Sequence, residues 1–594
     1  MPSLADLNEQ QRKAALHIQG PCVVVAGAGS GKTAMLVTRV QHLLRLQIPP
    51  NQILCCTFTK DAAKEMQSRI KADSGDKAKG VKICTIHSLA YQLIMPRLGK
   101  DWKIQTSTSW IIELILSGPS DSNPYGVKSS LSAKDADQAI SKAKNSLKTP
   151  FDLDDMMVAD IYEAYEKFKK DKKILDFDDL LVKTVHALRM DTQFREKWQN
   201  QWKFILVDEF QDTNLVQWEI LSLLAKAHQN LFVVGDDWQS LYSWRGAMPS
   251  LILDFGKYYP NAKTIILERN YRSRDPIIQA SNLIISMNEG QFKKQVVANR
   301  PGGDPIKIIG VEDEVDQAKR VADIIEAMRL ADPDLEWKSF AILYRTHEQS
   351  RSFEEIFTER DLPYVMAGES HFYEMPKIKT ILTYMRIVNS LSKDEAPEVQ
   401  WVTDIINRPK RNIKPDDINR VLVEGLSVLT QYPVYDPILD TLDKLMDCEQ
   451  PAELIVRLDE IHPELMKREP GDMWYSSFLR AASKHDNIES FLSFCDYVIE
   501  KSKEPKDDAI VMKTVHGSKG EQYPVVFLVD MVEGVMPYQK SVDEGNIEEE
   551  TRIAYVAATR AQDRLYFIVP KMMGDKVCIP SRYVTRLLEE RKKK

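Results

Sequence analysis

Residues 26–33 read AGAGSGKT and follow the apolar run CVVV, residues 22–25. Glycines let a backbone turn its N–H groups onto phosphate oxygens, and a helix starting there adds the positive end of its dipole. In this spacing Gly27, Ala28, Gly29, Ser30 and Gly31 form the cradle, Lys32 reaches the outer phosphates and the Thr33 hydroxyl suits Mg2+. A second set stands in FILVDEFQD, residues 204–212, where four apolar residues deliver Asp208 and Glu209 to a strand end. Ligands bind at such ends in open parallel sheets. Asp208 suits Mg2+, and Glu209 suits acceptance of a proton from attacking water. The third set is LFVVGDDWQSLYSWRGA, residues 231–247. Its Gln239 is placed to sense a terminal phosphate or order a water. Tyr242 and Trp244 read either as core aromatics or as faces on which bases stack.

These groups need strands that end together. Short β-branched runs (CVVVA, ILCCTFT, FILVDE, LFVVGD and TIILE, then PIKIIG, FAILYR, VVFLVD and LYFIVP) alternate with helical patterns in two separated regions. The alternation predicts α/β architecture with two parallel sheets. Between the runs lie long helical stretches at 91–200 and 377–505, the second ending in the charged KSKEPKDD. The long separation of Lys32 from Asp208 likewise calls for an inserted domain. A chain of 594 residues exceeds one core and fits roughly three or four domains.

Composition narrows the class: 43% apolar and 28% charged residues suit a globular protein. There is no apolar run of membrane-span length and no signal-peptide pattern. Seven scattered cysteines without CxxC or zinc spacing predict a reduced, cytoplasmic protein lacking a disulfide framework. The net charge of −7 does not advertise nucleic-acid binding, which nevertheless needs only a local basic groove. The densest basic run, KFKKDKK at 167–173, reads as a solvated helix face.

In chain order, LNEQQRKAA, AGAGSGKT, TFTKDAAKEM, TIHSLAYQL, VDEFQDTN, GDDWQSLYSWRGA, LERNYRS, TVHGSKG and EEETRIAYVAATRA span Leu7 to about Ala561. This ordered set resembles the superfamily 1 DNA helicases of the UvrD/Rep/PcrA type, whose own loop commonly begins with alanine as here. The resemblance implies two RecA-like P-loop cores with ATP between them, each carrying an inserted, mainly helical accessory domain. The cores are expected at 1–90 with 201–272 and at 273–376 with 506–594, and the accessory domains at 91–200 and 377–505. It implies an ATP-driven translocase on single-stranded DNA that unwinds duplex 3′ to 5′. Single strands and single/double-strand junctions are the expected partners, with protein loading or repair partners, and a nucleoid location in a bacterium. By position, Gln11 resembles the glutamine that recognises adenine, and Tyr271 the ring that stacks on it. Arg272 and Arg560 resemble the arginines aimed at the γ-phosphate, and Gln522 aligns with the residue that contacts the sugar. The DNA-contact positions match Phe58, Thr59, Thr85, His87, Tyr242, Trp244, His516 and Lys519. Phe58 stays open between core packing and base contact.

Three positions depart from the family pattern. Ala34 replaces an arginine able to stack on adenine, which predicts weaker or less selective base binding. KGLEF becomes KGEQY at 519–523, exchanging an acidic sugar contact for Gln522, with Glu521 one position away. The RGIG-like turn of the second accessory domain becomes RNIK at 411–414, which weakens the expected duplex contact. A scaffold built on an inactive core would break the loop lysine, acidic pair or phosphate arginines, and all are present. An RNA remodeller shares the same stacking and phosphate chemistry, and only the resemblance favours DNA.

Overall fold

The computed structural model describes residues 4–593 apart from 121–122, 244–245, 367–370, 412, 414–417, 419, 421–434, 469–473, 504–506 and 575. Its contacts divide the chain into two units, Met1–Arg272 with Asn288–Arg300, and Ser273–Met287 with Pro301–Lys594.

In the first unit the apolar runs become β1 (Cys22–Ala26), β2 (Ile53–Thr57), β3 (Lys82–Thr85), β4 (Phe204–Val207), β5 (Leu231–Gly235) and β6 (Lys263–Leu267). They form one six-stranded sheet in the order β3-β2-β4-β5-β1-β6, parallel at every pairing. Four of the strands, β1, β2, β4 and β5, are buried throughout, which is why they read as unbroken apolar runs. Parallel pairing also brings every C-terminal end to one edge. The phosphate loop, Thr57, Thr85, Asp208 and Asp236 therefore leave the sheet on the same side.

This unit's helices share several apolar cores, one of which packs Ala14, Met35, Val40, Met66 and Ile70 against the sheet. Helices Phe177–Met190 and Thr192–Gln201 contribute Leu181, Val185 and Phe194 to the cluster beneath the sheet, and Trp202, just past the second helix, joins them. A separate cluster joins Ile111, Ile115, Ile140, Ile161, Tyr165 and Phe168. The basic run 167–173 corrects the expectation of a wholly solvated face. Lys167, Lys170, Lys172 and Lys173 are exposed, but Lys169 is buried. Its ammonium and that of Lys144 each lie 2.6–2.8 Å from Glu166, Asp176 and Asp179.

The second unit repeats the plan with β7 (Lys307–Val311), β8 (Phe340–Tyr344), β9 (Tyr364–Met366), β10 (Ile510–Thr514), β11 (Tyr523–Leu528) and β12 (Ala561–Pro570). Their order is β7-β12-β11-β8-β10-β9, again parallel throughout. A helical cluster including Ile381, Met385, Leu454, Trp474, Phe478 and Phe491 forms its own core. No helix among the described residues is long and apolar enough to cross a membrane. All seven cysteines are free thiols.

Candidate nucleotide and nucleic-acid site

The loop after β1 is held from both sides. Gly27 N donates to Leu267 O at the end of β6 (3.0 Å). Gly29 and Gly31 adopt φ of 65° and 75°, a left-handed backbone that side chains disfavour. Space is as restrictive as conformation. A Cβ on Gly29 would lie 2.7 Å from Arg272 Cβ, and one on Gly31 2.7 Å from Gln11 Nε2. Gly31 opens the helix Lys32–Arg45, so the loop N–H groups stand at a helix N-terminus.

The base-side residues converge on this loop. Gln11 is buried, accepts from Asn8 N (2.9 Å) and donates through Nε2 to Ser30 O (2.7 Å). Tyr271 N donates to Gly29 O (2.9 Å), while its exposed ring takes a hydrogen bond at the hydroxyl from Asn8 Nδ2 (2.9 Å). Asn270 Nδ2 donates to Ala28 O (2.6 Å), and its Oδ1 accepts from Arg272 N (2.8 Å). Gln11, the loop, Tyr271 and Arg272 are thus neighbours. Asn8 and Asn270 were not anticipated. Asn8 had a signal, because Asn-x-x-Gln before a helix spells a capping box, which the structure contains. Ala34 sits half-buried in the first turn of the loop helix.

The acidic pair follows β4. Glu209 takes φ 52°, a strained backbone for a non-glycine residue and one found at functional sites. Lys32 Nζ lies 3.5 Å from both Glu209 carboxylate oxygens. Burial opposes the Lys32 charge, but Glu209, Asp236 and Asp208 outweigh it and hold the ammonium above its usual range. Burial, then repulsion from Glu209, pushes Asp208 up to about 7. Thr33, opening the adjacent helix, supplies a second hard oxygen donor, so the donor set fits Mg2+. Gln211, also unanticipated, donates to Glu209 Oε2 (2.5 Å) and accepts from Asp236 N (2.9 Å). Gln239 Nε2 donates to Asp236 Oδ2 (2.5 Å), which links it to Glu209 through two residues.

A cavity of about 530 Å³ joins this chemistry to the candidate strand-binding residues. Phe58, Thr59, Thr85 and His87 line it together with Asp208 and Glu209. The Phe58 and Tyr242 rings stack, 5.1 Å apart and 19° from parallel, and both are half-buried. They form a two-ring platform, neither wholly core nor wholly free. Thr59 and Thr85 cap the helices Lys60–Ser74 and Ile86–Leu98, accepting from Ala62 N and Ser88 N. His87 meets the edge of Phe177 at 6.5 Å. Trp244 lies outside the described residues.

His516, Lys519, Gln522 and Arg560 belong to the second unit. Burial, with Arg345 next, pushes His516 down to about 4, so its imidazole is neutral near pH 7. Lys519 N donates to His516 O at 3.3 Å within the turn that follows β10. Gln522 is exposed. Glu521 takes Lys513 Nζ at 2.7 Å and accepts from the Tyr523 hydroxyl. Arg560 is buried and donates to Val556 O (2.9 Å) and Glu521 O (3.1 Å). Of RNIK, Arg411 donates to Ile405 O (2.9 Å) and Ile413 N to Asn407 Oδ1 (2.9 Å), while Asn412 and Lys414 lie outside the described residues.

Residues 7–260 match the UvrD/REP helicase N-terminal domain. Residues 265–433 and 473–572 match the UvrD-like helicase C-terminal domain. Among curated relatives, the ATP-dependent DNA helicase PcrA of Staphylococcus epidermidis is 32% identical, over 98% of this chain and 87% of its own. The ATP-dependent DNA helicase Rep of Escherichia coli is 32% identical over 98% of this chain and 94% of its own. PcrA of Staphylococcus aureus is 32% identical over 95% and 83%.

Proposed function

Because this chain belongs to the UvrD/REP helicase family, we infer that it is an ATP-dependent DNA helicase that moves 3′ to 5′ and unwinds duplex. One observation supports this reading most. The phosphate loop meets Glu209 through Lys32, and the cavity lined by Asp208 and Glu209 also takes in Phe58, Thr59, Thr85 and His87.

Loop N–H groups and Lys32 bind the ATP phosphates, while Gln11 and Tyr271 hold the base. Thr33 and Asp208 would hold Mg2+, which would supply charge neutralisation at the phosphates. Glu209 accepts a proton from the attacking water, oriented with Gln239, and Arg272 and Arg560 stabilise charge on the γ-phosphate. Phe58, Tyr242 and Trp244 contact bases. Thr59, Thr85, His87, His516 and Lys519 contact the strand backbone, with His516 acting as a neutral hydrogen-bonding group. Gln522 replaces a charged sugar contact with an uncharged one. The protein partners are loading or repair factors, and the setting is the cytoplasm.

Strand displacement on duplexes carrying a 3′, 5′ or no single-stranded tail tests the whole reading. ATP-dependent displacement confined to the 3′-tailed duplex is expected. Displacement without ATP, or only from a 5′ tail, would overturn it.

A further inference from the structure

Residues 288–300 rejoin the first unit, although the chain on either side of them belongs to the second. Lys294 is their anchor. Its side chain is fully buried, with Nζ 2.5 Å from Asp236 Oδ1 and 2.6 Å from Asp237 Oδ1. The same ammonium lies 4.4 Å above the Trp238 ring. A second tie runs beside it, from Phe292 N to Asp237 Oδ2 at 2.8 Å. Asp236 is thereby held by Lys294 and Trp238 N at Oδ1, by Gln239 Nε2 at Oδ2, and by Gln211 Oε1 at its backbone N–H. Gln211 is in turn bonded to Glu209.

We propose that Lys294 is a positioning residue for ATP hydrolysis, fixing Asp236 and through it Gln239 and the Gln211–Glu209 pair. Lys294 touches neither nucleotide nor water in this scheme. A buried ammonium shared by two adjacent carboxylates locks the turn Asp237–Gln239 in one geometry, because releasing either carboxylate leaves an unpaired buried charge. Catalytic amides need that kind of fixed support to hold a water in line. The anchored segment is covalently continuous with the second unit at both ends.

This assignment rests on the helicase reading, and the experiment separates the two. Steady-state ATP turnover of the full chain is measured with and without single-stranded DNA for wild type and Lys294→Met, normalised to sites titrated with a fluorescent ATP analogue. The variant is expected to lose DNA-stimulated kcat on the order of 10²-fold per nucleotide site, with little change in KM for ATP. Lys294→Arg, which keeps the charge, is expected to recover part of that loss. A merely structural ion pair lowers the number of titrated sites and leaves kcat per site intact, and that result overturns the proposal. Should Lys294→Met fail to fold, Asp237→Asn removes one of the two carboxylate ties, and an unchanged kcat per site there overturns it equally. A wild type without ATP turnover would instead sink the helicase reading.

Discussion

Two of the first unit's buried lysine–carboxylate clusters, around Lys144 with Lys169 and around Lys32, differ in tightness. Around Lys144 and Lys169 every ammonium–carboxylate contact is 2.6–2.8 Å, with the Tyr165 hydroxyl on Asp176 at 2.9 Å. Burial alone would raise the Asp176 carboxyl, but the two ammoniums overcome it and hold it well below the usual range. Around Lys32 the nearest carboxylate oxygens stand at 3.5 Å and Asp208 sits near 7. Carboxylates set farther from their lysine and repelling each other at a cavity suit a ligand that brings phosphate and a cation. Charges closed on each other hold the helices that carry them together. Similar residues at different spacing thus divide into stability and function.

The sharpest way to break this comparison is to remove one lysine from each cluster. Lys144→Met strands buried carboxylates and should cost about 3–5 kcal/mol of unfolding free energy in denaturant titration, with turnover per folded molecule retained. Lys32→Met should lower ATP turnover on the order of 10²–10³-fold, while its unfolding midpoint moves far less than that of Lys144→Met. Reversed outcomes would erase the distinction.

Stacked rings carry the same contrast at a smaller scale. Phe58 and Tyr242 stack at the rim of a cavity, whereas Trp198 and Trp202 stack 4.9 Å apart against the sheet core. Phe58→Ala should weaken single-strand binding by about 1–3 kcal/mol in a fluorescence titration, with little effect on the unfolding midpoint. Unchanged strand affinity would return Phe58 to the core.

The smallest effect concerns a base that gives up its charge on burial. His516 titrates near 4 in the fold and near 6.5 when unfolded, with Arg345, Lys519 and Glu550 acting on it. The unfolded chain therefore binds more protons between those values. Its share of stability is complete above about pH 6.5 and is lost as pH falls toward 4. His516→Gln should flatten that part of the curve of unfolding midpoint against pH. A difference from wild type that stays constant from pH 4 to 7 would refute the assignment.

Strand reading from sequence worked where apolar residues run together, even in the partly exposed Lys263–Leu267 and Lys307–Val311, and failed where a strand is short or interrupted. Lys82–Thr85 has two half-buried positions in four, Tyr364–Met366 has three residues, and Ile510–Thr514 alternates buried and half-buried. Each lacks the unbroken apolar run that marks CVVVA or FILVDE. The basic run 167–173 misled for the opposite reason, since composition gives no sign that one lysine of five points inward.

The chemistry of AGAGSGKT and of VDE was legible because it is local. Left-handed glycines, a helix N-terminus and a strand-end carboxylate need only a few neighbouring residues. The partners that hold them were not. Asn8 reaches Tyr271 across 263 positions, Asn270 reaches Ala28 across 242, and Lys294 reaches Asp236 across 58. No periodicity encodes such pairings, because they arise only when parallel strands bring distant ends to one edge. The sequence by itself determined what the loop and the acidic pair can do, and tertiary structure decided which buried charges are closed into support and which are left open to work.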